Sequence, residues 1–215
     1  LIGRRGLLTA CTAIVARPAA AALPVPRGDR LAFRLIRHGD EIGRHTLTFA
    51  RDGAALTVHV EVAALVTLLS IPVVRYSHRV IETWQGETLA GLTGETDKNG
   101  TREWMSAQRT TEGLVVLGSK TSRYVAPEGA IGTSYWNKRM LDGPMISLED
   151  GVLLNPRVAA ARAEAIRVAS GDTIPAERYS LRGAFNVDVW YDRGDSWAGL
   201  QFGVADGSDV RYERL

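Results

Sequence analysis

From residue 30 onward the chain alternates between apolar and polar positions. Leu31, Phe33 and Leu35 alternate with Ala32, Arg34 and Ile36. Leu47 and Phe49 take one face of the next segment, and Thr46 and Thr48 the other. Leu56, Val58, Val60 and Val62 then line one face opposite Thr57, His59 and Glu61. Period two puts successive side chains on opposite faces of a strand. Turn residues punctuate the pattern: His38-Gly39-Asp40, Asp52-Gly53, Gln85-Gly86, Glu112-Gly113, Gly171-Asp172, Arg193-Gly194 and Asp206-Gly207. Asn99-Gly100 is the strongest hairpin signal and predicts pairing of 89–97 with 101–109. Short alternating strands with frequent turns predict an all-β antiparallel meander. Strands do not alternate with helices, so a Rossmann or flavodoxin-like fold is not expected.

Three stretches break the rhythm. Residues 62–74, VAALVTLLSIPVV, are apolar on both faces and contain Pro72. The favoured reading is a strand buried on both sides. The sharper one is an apolar lip at the mouth of a cavity, since proline is unwelcome inside a central strand. Residues 159–169 have helical composition, yet Val158, Ile166 and Val168 fit a strand, which the flanking strands favour. Residues 126–145 contain GTSYWNKRML, a Ser-Tyr-Trp-Asn cluster without strand alternation.

Composition is that of a globular protein, with 45% hydrophobic and 23% charged residues. The net charge of +2 and the absence of a long basic run argue against nucleic-acid binding. The first residues, LIGRRGLLTACTAIVARPAAAALPVP, follow a different rule. Arg4 and Arg5 precede a short apolar run and a small-residue region, the order of an export signal. That run is shorter than the ~20 residues of a transmembrane helix, so no membrane span is expected. The arginine pair resembles the twin-arginine export motif. The expected division is therefore an export signal over 1–22 and a single β-rich domain over 23–215, exported and periplasmic. Leu8 to Cys11 also fits a lipobox, which would make Cys11 a lipidated terminus; the apolar run before it is short for that reading. Cleavage near Ala22 would remove the only cysteine, and with it any disulfide, thiol nucleophile or cysteine-bound metal.

Candidate chemistry is sparse. None of His38, His45, His59 and His78 stands at metal-ligand spacing, so neither a metal nor another cofactor is expected. His38 falls in a turn, and His45 and His59 on expected polar faces. His78 shares a face with Tyr76, Val80, Glu82 and Trp84. A cross-strand network on an exposed face is the favoured reading, and a polar-aromatic pocket the other. Ser134 lacks a nucleophile-elbow motif, and Glu82, Glu95 and Asp97 are carboxylates of a kind common on solvated strands. The Arg-Gly-Asp triplets at 27–29 and 193–195 read as turns. Trp190 and Trp197 flank one hairpin and are expected to pack across it, while Trp84 and Trp104 lie on neighbouring hairpins.

Several stretches together carry a resemblance: LAFRLIRHGDEIGRHTLTF, VVRYSHRVIETWQGETLAGLTGETDKNGT, GTSYWN, IPAERYSLRG and VDVWYDRGDSWAGLQFGVADGSDVRYE. They resemble a family of exported proteobacterial proteins of unknown function. That resemblance implies a strongly curved sheet forming an incomplete or flattened barrel, with a short helical insert near residues 133–141 and near the mouth. Carriers that shuttle lipoproteins across the periplasm are similar in shape, at the level of fold alone. No catalytic residue follows from it. On this reading Thr133 or Ser134 caps a helical turn, and the insert closes one end of the sheet. The leading expectation is non-enzymatic binding of an apolar, lipid-like or amphipathic ligand. Tyr76, His78, Trp84, Trp104, Ser134, Tyr135, Trp136 and Asn137 would be its lining or lid. The alternatives are an assembly factor contacting another envelope protein and, less favoured, an envelope hydrolase.

Overall fold

The structure, a computed structural model, describes residues 23–68, 71–159 and 161–215. The expected export signal lies outside the described residues. The first strands are β1 (Arg30–Arg37), β2 (Asp40–Asp52), β3 (Ala55–Leu68), β4 (Ile71–Gln85), β5 (Thr88–Lys98), β6 (Thr101–Thr110), β7 (Gly113–Gly118) and β8 (Thr121–Val125). Then come β9 (Ile131–Gly132), a 3-10 helix (Lys138–Asp142), β10 (Met145–Ile146) and β11 (Leu153–Leu154). The chain ends with β12 (Arg157–Val158), β13 (Arg162–Arg167), β14 (Thr173–Arg182), β15 (Val187–Asp192), β16 (Trp197–Gly203) and β17 (Asp209–Arg214).

Fourteen strands form one antiparallel sheet in the order β12-β14-β15-β16-β17-β1-β2-β3-β4-β5-β6-β7-β8, with β13 also paired to β14. The sheet is a meander with one long return, β17 lying beside β1. Among the described residues it does not close into a barrel. The chain between its two edges runs through the concavity instead, forming a small three-stranded sheet from β9, β10 and β11. No described helix is long and apolar enough to cross a membrane.

Local sequence explains the register. Asn99 and Gly100 both have positive φ, 54° and 86°, which a tight β5–β6 hairpin needs. Strand alternation sends Leu47, Phe49, Val58, Val60, Val80, Leu92, Met105 and Val116 into the concave core. The inner chain crosses β5 and β7 where they carry no side chain. A Cβ at Gly94 would lie 2.1 Å from the Leu148 carbonyl oxygen, and one at Gly118 would lie 2.0 Å from that of Asp150. Backbone against backbone at these two glycines lets a loop fill half the concavity.

Several expectations change. Residues 62–74 are not buried on both faces: Leu65, Val73 and Val74 are exposed on the long β3–β4 hairpin. A bulge sits between Val66 and Thr67. Residues 162–167 form a strand, as expected. The helical insert is a single 3-10 turn capped by Asn137, whose side-chain oxygen accepts from the Arg139 N–H at 3.2 Å; Thr133 and Ser134 do not cap it. Trp190 and Trp197 occupy opposite faces, because a bulge shifts the β15–β16 register between Trp190 and Tyr191. Trp197 enters the main core. Trp190 joins Ile166, Ala176 and Ala198 in a second, smaller one.

Candidate functional site

The inner chain fills one end of the concavity and leaves the other hollow. At the filled end Trp136 is fully buried, edge-to-face with Phe49 at 5.2 Å and with Trp84 at 5.7 Å. Both indole N–H groups donate to the same oxygen of Glu82, each at 3.0 Å. Burial raises the Glu82 pKa, while the Ser134 hydroxyl and the two indoles act against that rise. The insert is tied to two turns at this end. Lys138 pairs with Asp195 at 2.6 Å, and the Arg139 guanidinium donates to the Glu87 carbonyl at 3.3 Å. It therefore closes the end remote from the opening, which corrects its expected place near the mouth.

The hollow end is a cavity of about 770 Å³. Its walls are largely apolar: Leu35 and Ile42, Val60, Val62, Ala64 and Val66 on β3, Val74 on β4, and Leu200, Phe202 and Val210 on β16 and β17. Its mouth lies among the turns that follow β1, β14 and β16. Arg37 and Asp206 form an ion pair at that rim. Hydrogen bonds from Ser208, reinforced by the Arg37 guanidinium, hold the Asp206 carboxyl down at about 2.

The floor is polar and aromatic. Tyr135 has a φ of 65°, an uncommon backbone for a bulky residue. Its ring stacks on Trp197 at 5.4 Å, and the Tyr191 hydroxyl donates to its carbonyl at 2.8 Å. This strained turn directs Tyr135 toward the hollow and Trp136 into the core. The Tyr76 hydroxyl donates to Glu149 at 2.7 Å, and Lys98 bridges Glu149 at 2.6 Å and Glu103 at 3.0 Å. Burial, and then the Glu149 carboxylate, raises the Tyr76 and Tyr135 phenols above their ordinary range; Tyr212, buried beside Tyr135, is raised likewise. All three remain uncharged hydrogen-bonding groups at neutral pH.

Of the residues singled out in the sequence, Tyr76, His78, Ser134 and Tyr135 line the cavity. His78 is buried, not part of an exposed network; its Nδ1 lies 2.8 Å from the Thr96 hydroxyl. Burial lowers its pKa. No described hydrogen bond joins Ser134 to a histidine, and Ser134 instead lies beside Glu82. Trp84, Trp136 and Asn137 are buried in the filled end and do not line the cavity. Trp104 departs from the expected lining altogether. Its neighbours Glu103 and Met105 point inward, so its ring stands 48% exposed on the outer face. Sequence reasoning missed Glu149, Tyr212 and His45. His45 is 4% exposed, not on a polar face. The signal was present, since His45 stands two residues before Leu47 and four before Phe49, on the same face of β2.

The chain belongs to the DUF6134 family. The family's profile matches residues 33–215 and is described as a domain of unknown function. No curated protein matches the chain.

Proposed function

We propose that this member of the DUF6134 family is a non-enzymatic binding protein for an apolar or amphipathic small molecule, acting outside the cytoplasm after export. The observation that carries this reading is the cavity itself. A hollow of about 770 Å³, sealed at one end by the insert and open among the turns at the other, falls in the size range of small-molecule sites. Its apolar walls would accept a chain or ring system, and its few polar groups would fix orientation. The leader over 1–22 supports the exported location. The test is native mass spectrometry of the protein purified from its own source, with extraction of whatever is bound. A stoichiometric lipid-like adduct, released on unfolding, is the expected result. A clean apo mass, together with no uptake of apolar probes added in solution, would overturn the reading.

A second reading has its own observation. Leu65 and Val73 are exposed on the β3–β4 hairpin at the rim of the hollow. Such an apolar surface would suit contact with another envelope protein. Cross-linking from position 65 that recovers one defined partner from the source cells would favour it, and purely random adducts would count against it.

A further inference from the structure

One polar side chain in the cavity wall has no partner. His45 is buried among aromatic rings, edge-on to Trp197 at 5.1 Å, Tyr212 at 5.6 Å and Phe33 at 6.3 Å. Neither ring nitrogen has a hydrogen-bond partner among the described residues. His78, also in that wall, differs in having Thr96. Leaving a buried donor and acceptor unmade is expensive, and native proteins seldom do so without a reason. His45 is also a member of the cavity wall. A molecule entering the hollow is the natural source of the missing partner.

The surroundings define the chemistry of that partner. The imidazole is kept uncharged by burial, and secondarily by His78, with its pKa pushed down to about 3. A neutral imidazole offers one donor and one acceptor. A hydroxyl can answer either nitrogen, because it both donates and accepts. A carboxylate or phosphate would enter an apolar chamber unpaired, at a large desolvation penalty. The cations near the cavity are already engaged, Arg37 by Asp206 and Lys98 by Glu103 and Glu149. An ammonium group would meet a carboxylate, Glu149, that already holds Tyr76 and Lys98.

We propose that His45 is the hydrogen-bonding contact for a ligand with an uncharged polar end, a hydroxyl carried on a long apolar body. This rests on the binding reading above. The probes are 1-dodecanol, sodium dodecanoate and dodecane, delivered from cyclodextrin to the full chain at neutral pH and followed by tryptophan fluorescence and native mass spectrometry. The wild type is expected to bind dodecanol about tenfold tighter than dodecanoate. His45→Phe should lose roughly tenfold in dodecanol affinity while keeping its affinity for dodecane, as for one lost hydrogen bond. The melting temperature of the ligand-free variant should rise, because an unpaired polar group has been removed; a merely structural histidine would lower it. A measurement on the wild type needs no variant to fold: the His45 ring nitrogens should shift in ¹⁵N NMR on adding dodecanol and not on adding dodecane. Unchanged dodecanol affinity in His45→Phe, silent ring nitrogens, or tighter binding of dodecanoate would each overturn the assignment while leaving the cavity a binding site. Failure of the wild type to bind any of the three probes would remove the binding reading and this inference together.

Discussion

The two ends of the concave face are built from the same strands and end in opposite states. On β2 the inward residues run from Phe49 and Leu47 at the filled end to His45 and Gly43 at the hollow end. On β4 they run from Trp84 and Glu82 to Tyr76 and Val74. On β3 Leu56 and Val58 give way to Val62, Ala64 and Val66. At the filled end the inner chain adds Trp136, which meets Phe49 and Trp84. At the hollow end it contributes Thr133, Ser134, Tyr135, Ser147, Leu148, Glu149 and Leu154 to the lining without filling the space. Backbone geometry alone therefore does not decide whether a curved sheet is solid. What decides it is where the inner chain places its bulk. Each end also buries one imperfectly paired titratable group: among the described residues, Glu82 has one oxygen without a partner, and His45 lacks a partner for either nitrogen.

The largest effect is expected at the filled end. Trp136→Ala removes a ring packed on two aromatics and leaves Glu82 with one indole donor. It should destabilise the protein by about 3–5 kcal/mol, read from urea unfolding. A loss under 1 kcal/mol would mean that the insert is only docked, and that the supposedly solid end is a gate.

The buried groups give the comparison a pH signature. For His45 the folded pKa, about 3, lies below the ordinary 6.5. Its contribution is complete above pH 6.5 and is lost as pH falls toward 3, at about 1.4 kcal/mol per unit, so about 3 kcal/mol by pH 4. For Glu82 the folded pKa is raised above 4.5. Its contribution is complete below pH 4.5 and is lost as pH rises through the folded value. The two oppose each other as pH rises from 4.5, until Glu82 ionises in the fold or pH passes 6.5. Relative to wild type, Glu82→Gln should therefore gain stability as pH rises through this window. His45→Phe should gain it as pH falls. Parallel stability profiles for both variants would show that neither group is buried as described.

Much of this architecture was legible, and the illegible part has a physical cause. Asn99-Gly100 announced its hairpin because left-handed backbone favours those residues. Alternation at Leu47 and Phe49 gave the faces of β2, and the cluster at 133–141 marked a break in the sheet. Period two, however, gives relative sides only. It grouped Tyr76, His78, Glu82 and Trp84 without saying that their side was buried. It could not tell that Trp84 faces in while Trp104 faces out. His45 was misplaced because residue type was weighed above its period-two relation to Leu47. The hollow itself depends on a loop crossing Gly94 and Gly118 from more than thirty residues away, a contact that no local pattern encodes.

Filling the hollow tests the other half of the comparison. Ala64 lines the cavity, so Ala64→Leu adds apolar volume where space exists. Stability should stay level or rise by about 0.5–1 kcal/mol. Uptake of an apolar probe should fall at the same time. A marked loss of stability would show that the cavity wall cannot accept bulk and is packed in solution.

The smallest effect is expected from the same side chain that gives the largest, moved to the other face of the sheet. Trp104 lies on β6, one layer from the core, yet its ring is half exposed and its inward neighbours carry the packing. Trp104→Ala should change stability by no more than about 0.5 kcal/mol, as for an ordinary surface position. Set beside Trp136→Ala, the pair isolates position from chemistry, since both remove one indole from one chain. A cost above about 1.5 kcal/mol at Trp104 would mean that the outer face of β6 is covered in solution. Analytical ultracentrifugation of the variant would then show whether a second copy of the chain provides the cover. A small cost at Trp104 with a large one at Trp136 places the stability of the fold on its concave side, at the end where the inner chain has filled it.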